Sequence, residues 1–149
     1  MSALVGGAEC GVRRAVAGAR LACAPHTVTM ERYELGIVGE NLAAETLSAR
    51  GYAILERRYR TEHGEIDIVA LDGDTLVFVE VRAKATAECG TAAESVTRPK
   101  QLQVVRMAVE YLARHEISGR PCRFDVVAVD DALGAEPSIT VYPDAFAGV

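Results

Sequence analysis

Two carboxylates and a cation stand close together in a stretch that is otherwise typical of a buried β-sheet. Asp67 follows Gly64-Glu65-Ile66, and Leu76-Val77-Phe78-Val79 leads directly to Glu80, with Arg82 two residues further on. Placing a carboxylate within a β-branched run costs several kcal/mol unless a cation or hydrogen bonds compensate. The pattern therefore indicates a chemical site.

Two carboxylates with basic groups beside them suit a divalent metal ion next to a phosphate. Mg²⁺, or Mn²⁺ in its place, takes oxygen ligands, commonly one or two carboxylates completed by water and substrate phosphate. Asp67 and Glu80 are therefore predicted to be catalytic metal ligands, with Arg82 as a catalytic cation. The alternative is an ordinary solvated sheet face with a Glu80–Arg82 ion pair.

The acids must be positioned by two antiparallel strands, predicted over residues 64–71 and 76–84. Asp72-Gly73-Asp74-Thr75 separates them, and an Asp-Gly pair readily adopts the positive φ angles of a hairpin turn. Because side chains alternate along a strand, Glu80, Arg82 and Lys84 share one face, to which Asp67 can also point. The opposite face is predicted to be a core face, and it consists of Val77, Val79, Val81 and Ala83.

Asp67, the hairpin and Glu80-Val81-Arg82 together resemble the core of the PD-(D/E)XK nucleases, with Arg82 where that pattern has Lys. Residues 31–147 are similar to one branch of that superfamily, the YraN-like family. The matching pieces are Gly39-Glu40, Gly51-Tyr52, Gly64-Glu65-Ile66-Asp67, residues 76–82, Glu94-Ser95-Val96, Lys100 and Arg123-Phe124-Asp125-Val126-Val127. The resemblance implies an α/β, restriction-endonuclease-like fold, with a central mixed β-sheet of about five strands flanked by helices.

The resemblance also implies a function and further ligands. The implied activity is Mg²⁺-dependent endonucleolytic hydrolysis of phosphodiester bonds in nucleic acid, with branched DNA as one candidate substrate. A two-fold homodimer is expected, because branched-DNA nucleases of this fold are commonly two-fold. The Val81 carbonyl and Glu40, the acid of the first helix, are implied as further metal ligands. Arg82 keeps a second interpretation open, a non-catalytic nucleic-acid-binding or scaffold protein, because arginine stays protonated and is a poor proton acceptor.

Five basic residues are candidate phosphate contacts: Arg57, Arg58, Arg60, Lys84 and Lys100. The three arginines end a predicted strand over residues 52–59, and the guanidinium fork matches phosphate oxygens. Lys100 opens a predicted helix, whose N-terminus attracts anions, and it is also the candidate for a relocated catalytic lysine. The alternative for each is a solvated surface charge. The net charge of −5 does not by itself indicate nucleic-acid binding.

Two helices are predicted, over residues 31–50 and 98–116. The first has one apolar stripe at Leu35, Val38, Leu42 and Ala49 and a second at Ile37, Ala44 and Leu47, where Glu40 also falls. Gly36 and Gly39 would let this helix approach the sheet closely. The second helix has Pro99 in its first turn, and its predicted buried stripe consists of Leu102, Val105, Val109 and Leu112.

Two more strands complete the predicted sheet. Residues 123–129 are apolar on both faces, as in a central strand, with Asp125 as a buried structural acid. Residues 136–142 form an edge strand, since Pro137 and Pro143 confine it. Residues 85–97 are predicted to be a loop, with a short helical turn at 92–96.

Length and composition favour one domain. The chain has 149 residues, half of them hydrophobic, which suits a single core over residues 30–149. Residues 1–29 are predicted to be a weakly structured extension, and Met30 is a candidate translation start. Four scattered cysteines form no C-x-x-C pair, which fits a reducing cytoplasm. No apolar run reaches the ~20 residues of a membrane helix, and no serine-hydrolase or phosphate-loop motif is present.

Overall fold

A computed structural model of the chain describes residues 25–86 and 95–148, with side chains from residue 31 onward. The elements in chain order are α1 (Pro25–Ala49), β1 (Ala53–Thr61), β2 (Gly64–Asp72), β3 (Thr75–Ala83), α2 (Arg98–Arg114), β4 (Cys122–Asp130) and β5 (Ser138–Tyr142). The five strands form one sheet in the order β1-β2-β3-β4-β5. This mixed sheet with two helices confirms the predicted α/β, restriction-endonuclease-like fold.

The strand directions follow from the connections between the strands. β1, β2 and β3 pair antiparallel through short turns, and Gly73 has the positive φ of 58° that the β2–β3 turn requires. β3 and β4 pair parallel, and the connection between them carries α2. β5 returns antiparallel to β4 at the edge of the sheet, as predicted.

Both faces of the sheet are covered, so the hydrophobic core has two layers. On the α2 side, Leu76 and Phe78 of β3 pack with Tyr59, Met107 and Tyr111. On the α1 side, the core consists of Ala43, Leu47, Ile68, Ala70, Val77, Val79, Val127, Val129, Ala132 and Val141. The predicted core face of β3 is therefore correct, but its opposite face is also core until Glu80.

The buried face of α1 matches the second predicted stripe better than the first. Its buried side chains are Glu40, Ala43 and Leu47, two of which lie on that second stripe, whereas Ala49 of the first stripe is exposed. Gly39 provides the close approach that was predicted, because a Cβ atom there would lie 2.5 Å from the Ala83 Cβ atom. The helix also begins at Pro25, six residues earlier than predicted. The predicted boundary between residues 29 and 30 thus falls inside α1, and residues 1–24 lie outside the described residues.

The predicted buried stripe of α2 is wrong for two of its four residues. Leu102 and Val109 are exposed, by 45% and 60%, and Val105 and Leu112 are only partly buried against the core. The side chains that α2 buries are Val104, Met107, Ala108 and Tyr111. Apolar residues occur on two faces of this helix, and the sheet selects the face on which Tyr111 packs edge-on against Tyr59 and Phe78.

The remaining predictions concern β4, the loop after β3 and the membrane. β4 is covered on both faces, and Asp125 is 0% exposed, as expected for a structural acid. Of the predicted loop at 85–97, residues 87–94 lie outside the described residues. Within the part of the chain that the structure describes, no helix is long and apolar enough to cross a membrane.

Candidate active site

Asp67 lies where the β2–β3 hairpin stops pairing. The ladder between the two strands runs from Asp72 and Thr75 to Ile68 and Val79. One residue further along β2, the Asp67 Oδ2 atom accepts a hydrogen bond of 2.7 Å from the backbone N–H of Val81. A side chain thus satisfies a backbone donor at the point where the strands separate, and this contact fixes the orientation of the carboxylate.

Glu80 is buried on β3 and lies between two cations. Its side chain is only 3% exposed, with Oε1 3.2 Å from an Arg82 Nη atom and Oε2 3.3 Å from Lys100 Nζ. Arg82 comes from the same strand and Lys100 from the first turn of α2. The charge of Lys100 also opposes the rise that burial causes in the pKa of Asp67, so α2 places a lysine near both acids.

Burial changes the acidity of both carboxyl groups. It raises the pKa of Asp67 from 3.8 to about 7, and the charge of Glu80 is the next cause of the increase. Burial also raises the pKa of Glu80, while the cations Lys100 and Arg82 oppose that rise. Carboxyl groups with pKa values perturbed by burial and by neighbouring charges are typical of functional sites.

Glu40 of α1 holds two arginines of β1. Its Oε1 atom accepts a hydrogen bond of 3.0 Å from Arg57 Nε, and its Oε2 atom accepts one of 2.7 Å from Arg58 Nε. Arg57 also donates to the Asn41 side chain at 2.7 Å. Arg58 has a φ of 54°, an uncommon left-handed conformation for a residue with a side chain. Both oxygens of Glu40 are therefore engaged with arginine.

Several of these residues border a cavity of about 480 Å³, within the size range of small-ligand sites. Asp67 lines it, together with Val81, Arg82, Ala83 and Lys84 from the end of β3. α1 contributes Arg32, Tyr33, Leu35, Gly36 and Glu40, and the remaining walls are Arg58, Arg60, Glu65 and Ser95. The cavity is consequently rich in arginine and lysine at one end of the sheet, although the whole chain is acidic.

The structure brings together most of the predicted site residues. Asp67, Val81, Glu40 and Arg82 border the cavity, with Glu80 buried beside Arg82 and Lys100. Of the predicted phosphate contacts, Arg58, Arg60 and Lys84 line the cavity, whereas Arg57 is directed to Glu40 and Asn41. Arg60 also pairs with Glu65. The roles predicted for these residues remain predictions.

Sequence reasoning missed the part of the site that α1 supplies before Glu40. Arg32 and Tyr33 line the cavity but were not among the predicted site residues. Tyr33 lies seven residues before Glu40, two helical turns away on the same face. That spacing was the available signal, and it was hidden by the apolar stripes on other faces of the helix.

The two carboxylates of Asp67 and Glu80 form a donor set that fits a hard divalent cation. Glu80 Oε2 is buried and, among the described residues, has no aligned hydrogen-bond donor. The described ranges contain no ready group of three or more His, Cys, Asp or Glu side chains that could hold a metal ion. Mg²⁺ commonly uses only one or two carboxylates plus water and phosphate, so Asp67 and Glu80 meet that requirement without Glu40.

Comparison with known proteins places the chain in a family. The profile described as "Uncharacterised protein family UPF0102" matches residues 39–129, which includes every element from the middle of α1 to β4. A UPF0102 protein of Moorella thermoacetica is 50% identical over 102 residues, covering 68% of this chain and 85% of the relative.

A second relative gives the same result over a similar length. A UPF0102 protein of Chlorobaculum tepidum is 50% identical over 108 residues, which cover 72% of this chain and 84% of the relative. The family match and the fold agree with the YraN-like resemblance of the sequence. The chain therefore belongs to the UPF0102 family, within the restriction-endonuclease-like superfamily.

Proposed function

We propose that the protein is a metal-dependent endonuclease that hydrolyses phosphodiester bonds in nucleic acid. The observation that carries this proposal is the placement of two acids, Asp67 and Glu80, one residue beyond the Ile68–Val79 pair of the β2–β3 hairpin, where the charge of Glu80 helps to raise the pKa of Asp67. Placing two such acids together in a covered sheet is costly for the fold. That cost is understandable if the acids serve to bind a cation.

In this proposal Asp67 and Glu80, with the Val81 carbonyl, hold Mg²⁺ or Mn²⁺. The bound ion would lower the pKa of a water molecule and neutralise phosphate charge. The Val81 N–H keeps the Asp67 carboxylate in place through its 2.7 Å hydrogen bond. Glu40 holds Arg58 at the cavity and acts as a positioning residue for that arginine.

Arg82 and Lys100 supply fixed positive charge next to Glu80. Arg82 lines the cavity and contacts Glu80, so in this proposal its guanidinium group addresses the phosphate being cut. Its Nε atom is buried and, in the described part of the chain, lacks a hydrogen-bond partner, so the fold leaves one donor of this guanidinium group unsatisfied. Lys100 compensates the Glu80 charge from α2 and takes the place of the strand lysine.

A second candidate is a nucleic-acid-binding protein that keeps the fold without cleaving. Two observations favour it. Both oxygens of Glu40 already accept hydrogen bonds from arginine, and arginine at position 82 is a poor proton acceptor. The two candidates make the same prediction for binding and opposite predictions for hydrolysis.

The deciding experiment is cleavage of linear, flapped and four-way DNAs in Mg²⁺, Mn²⁺ or EDTA. Asp67→Asn and Glu80→Gln should each lower the cleavage rate at least about a hundredfold, because each removes the charge of a ligand while keeping the shape of the side chain. Arg82→Lys should retain activity that Arg82→Ala loses. Cleavage in EDTA, or equal rates in Asp67→Asn and the unchanged protein, would refute the proposal.

A matched control is available on α2. Glu110→Gln removes an acid that pairs with His63 at 2.6 Å, away from the cavity, and it should leave the cleavage rate unchanged. Thermal unfolding with and without Mg²⁺ provides an independent readout. The ion should raise the melting temperature of the unchanged protein and of Glu110→Gln by mass action, but not that of Asp67→Asn.

A further inference from the structure

The outer wall of the cavity carries an aromatic side chain that hydrolysis itself does not require. Tyr33 of α1 is 60% exposed and lines the same cavity as Asp67 and Arg82. Tyr33, Gly36 and Glu40 are spaced three and four residues apart, so they share one face of the helix. An aromatic ring presented on a rigid helix at a cavity mouth is a surface on which a flat ligand can stack.

Two arginines line the cavity together with this ring. Arg32 precedes it in the helix and lines the cavity, and the Arg58 guanidinium group interacts with the Tyr33 side chain. An exposed aromatic ring next to guanidinium groups matches a nucleotide, whose base stacks and whose phosphate pairs with arginine. Charge complementarity thus favours a nucleic-acid strand over an apolar partner on this wall.

Arg58 is held in place before any ligand arrives. Its backbone is in the left-handed region, and the ladder places it in β1 opposite Asp67, between the pairs Arg57–Ile68 and Tyr59–Ile66. Glu40 fixes its guanidinium group through a 2.7 Å hydrogen bond. Such backbone strain clusters at ligand clamps. Through its contacts with Glu40 and Tyr33, Arg58 connects the buried acid of α1 with the aromatic wall.

We propose that Tyr33, Arg32 and Arg58 form a binding site for an unpaired nucleotide of a single-stranded nucleic-acid segment. A base inside a duplex has both faces covered by its neighbours, so only an unstacked base can lie on the Tyr33 ring. The cavity of about 480 Å³ is of the size that holds one nucleotide-like ligand. This inference rests on the proposed nuclease function for the cutting step and names the class of substrate.

The test compares binding of a fluorescein-labelled oligothymidylate and a duplex of equal length, by anisotropy in EDTA so that no metal-dependent hydrolysis occurs. Tyr33→Ala should weaken single-strand binding about tenfold, equivalent to about 1.4 kcal/mol, and change duplex binding about twofold or less. Tyr33→Phe keeps the ring and should bind like the unchanged protein. Unchanged single-strand affinity in Tyr33→Ala, or equal losses for both ligands, would overturn the proposal.

Tyr142→Ala is the matched control, since Tyr142 is an exposed tyrosine on β5 and does not line this cavity; it should bind the single strand normally. An oligouridylate distinguishes RNA from DNA as the source of the nucleotide, and Tyr33-dependent binding of either supports the site. Tyr33-dependent binding by a protein that cuts nothing would keep this site and remove the nuclease proposal. Cleavage without any Tyr33 effect would do the reverse.

Discussion

Asp67 couples the chemistry of the site to the stability of the fold through its proton. Burial, followed by the charge of Glu80, raises its pKa from 3.8 to about 7, so the folded chain keeps a proton that the unfolded chain has released. Between those pH values the folded state binds more protons than the unfolded state. The contribution of Asp67 to the free energy of unfolding therefore falls as pH rises from about 4 to about 7.

Asp67→Asn should remove this pH dependence, because asparagine resembles the protonated acid and can still accept the Val81 hydrogen bond. Relative to the unchanged protein in EDTA, the variant should be about equally stable near pH 4 and more stable above pH 7. The gain is at most about 4 kcal/mol, since each pKa unit is worth about 1.4 kcal/mol. Urea unfolding at a series of pH values measures it.

The same substitution on an exposed acid provides the control. Asp74 lies in the exposed β2–β3 turn, and Asp74→Asn should shift stability by a constant amount, at most about 0.5 kcal/mol, across this range. Asp67→Asn should gain stability over the unchanged protein as pH rises. If the difference between them stayed constant or shrank, Asp67 would ionise normally. Mg²⁺ should reduce the difference at pH 7, because the ion favours the charged carboxylate.

At the scale of elements, local signals were sufficient for the hairpin and insufficient for the helices. The Asp-Gly turn and the apolar runs on either side specify β2, β3 and their register without reference to the rest of the chain. The buried face of α2 depends instead on which apolar side chains meet the sheet. Met107 and Tyr111 are buried against it, whereas Leu102 and Val109 are exposed. Periodicity could not distinguish two apolar faces of one helix.

The same limit applies to the candidate site. Alternation along two strands was enough to bring Asp67 and Glu80 together, because a hairpin fixes both strands at once. The partners of Glu40 could not be predicted in this way, since they depend on how α1 crosses β1. A metal-ligand role and an arginine-binding role look alike in sequence, and only the packing shows Arg57 and Arg58 on its two oxygens.

The contact between α1 and β3 can be tested at Gly39. A Cβ atom there would lie 2.5 Å from the Ala83 Cβ atom, so Gly39→Ala should force the helix away from the strand and destabilise the protein by about 1–3 kcal/mol. Gly36→Ala is the matched control on the same helix, where nothing lies within 4 Å. It should stabilise by about 0.5–1 kcal/mol through helix propensity.

Both glycine variants can be measured by urea unfolding at one pH. The two substitutions add the same methyl group to the same helix, so a difference in sign isolates the contact with Ala83 from the general effect of alanine. If Gly39→Ala were as stable as Gly36→Ala, the close approach of α1 to the end of β3 would be incorrect. The placement of α1 as a wall of the cavity would then be incorrect as well.

Across the whole molecule, charge is divided between two ends of the sheet with different roles. At the cavity end, the charge of Glu80 helps to raise the pKa of Asp67, and no side chain or backbone group among the described residues offers Glu80 Oε2 an aligned donor. At the other end, buried Asp125 accepts hydrogen bonds from Arg123, the Tyr52 hydroxyl and the Asp144 backbone N–H. The second arrangement is fully satisfied, as a structural network should be.

Arg123 is the central cation of that network and the basis of the last prediction. It donates to both oxygens of Asp125 at 2.8 and 3.0 Å and to Asp72 at 2.9 Å, thereby joining β4 to the end of β2. Arg123→Gln would leave the Asp125 charge buried without its partner, which typically costs about 3–5 kcal/mol. Arg60→Gln removes an exposed ion pair with Glu65 and should cost at most about 1 kcal/mol. Denaturant unfolding measures the free energy of unfolding of both variants. Similar losses in the two would show that the buried Asp125 network contributes no more to stability than an exposed ion pair.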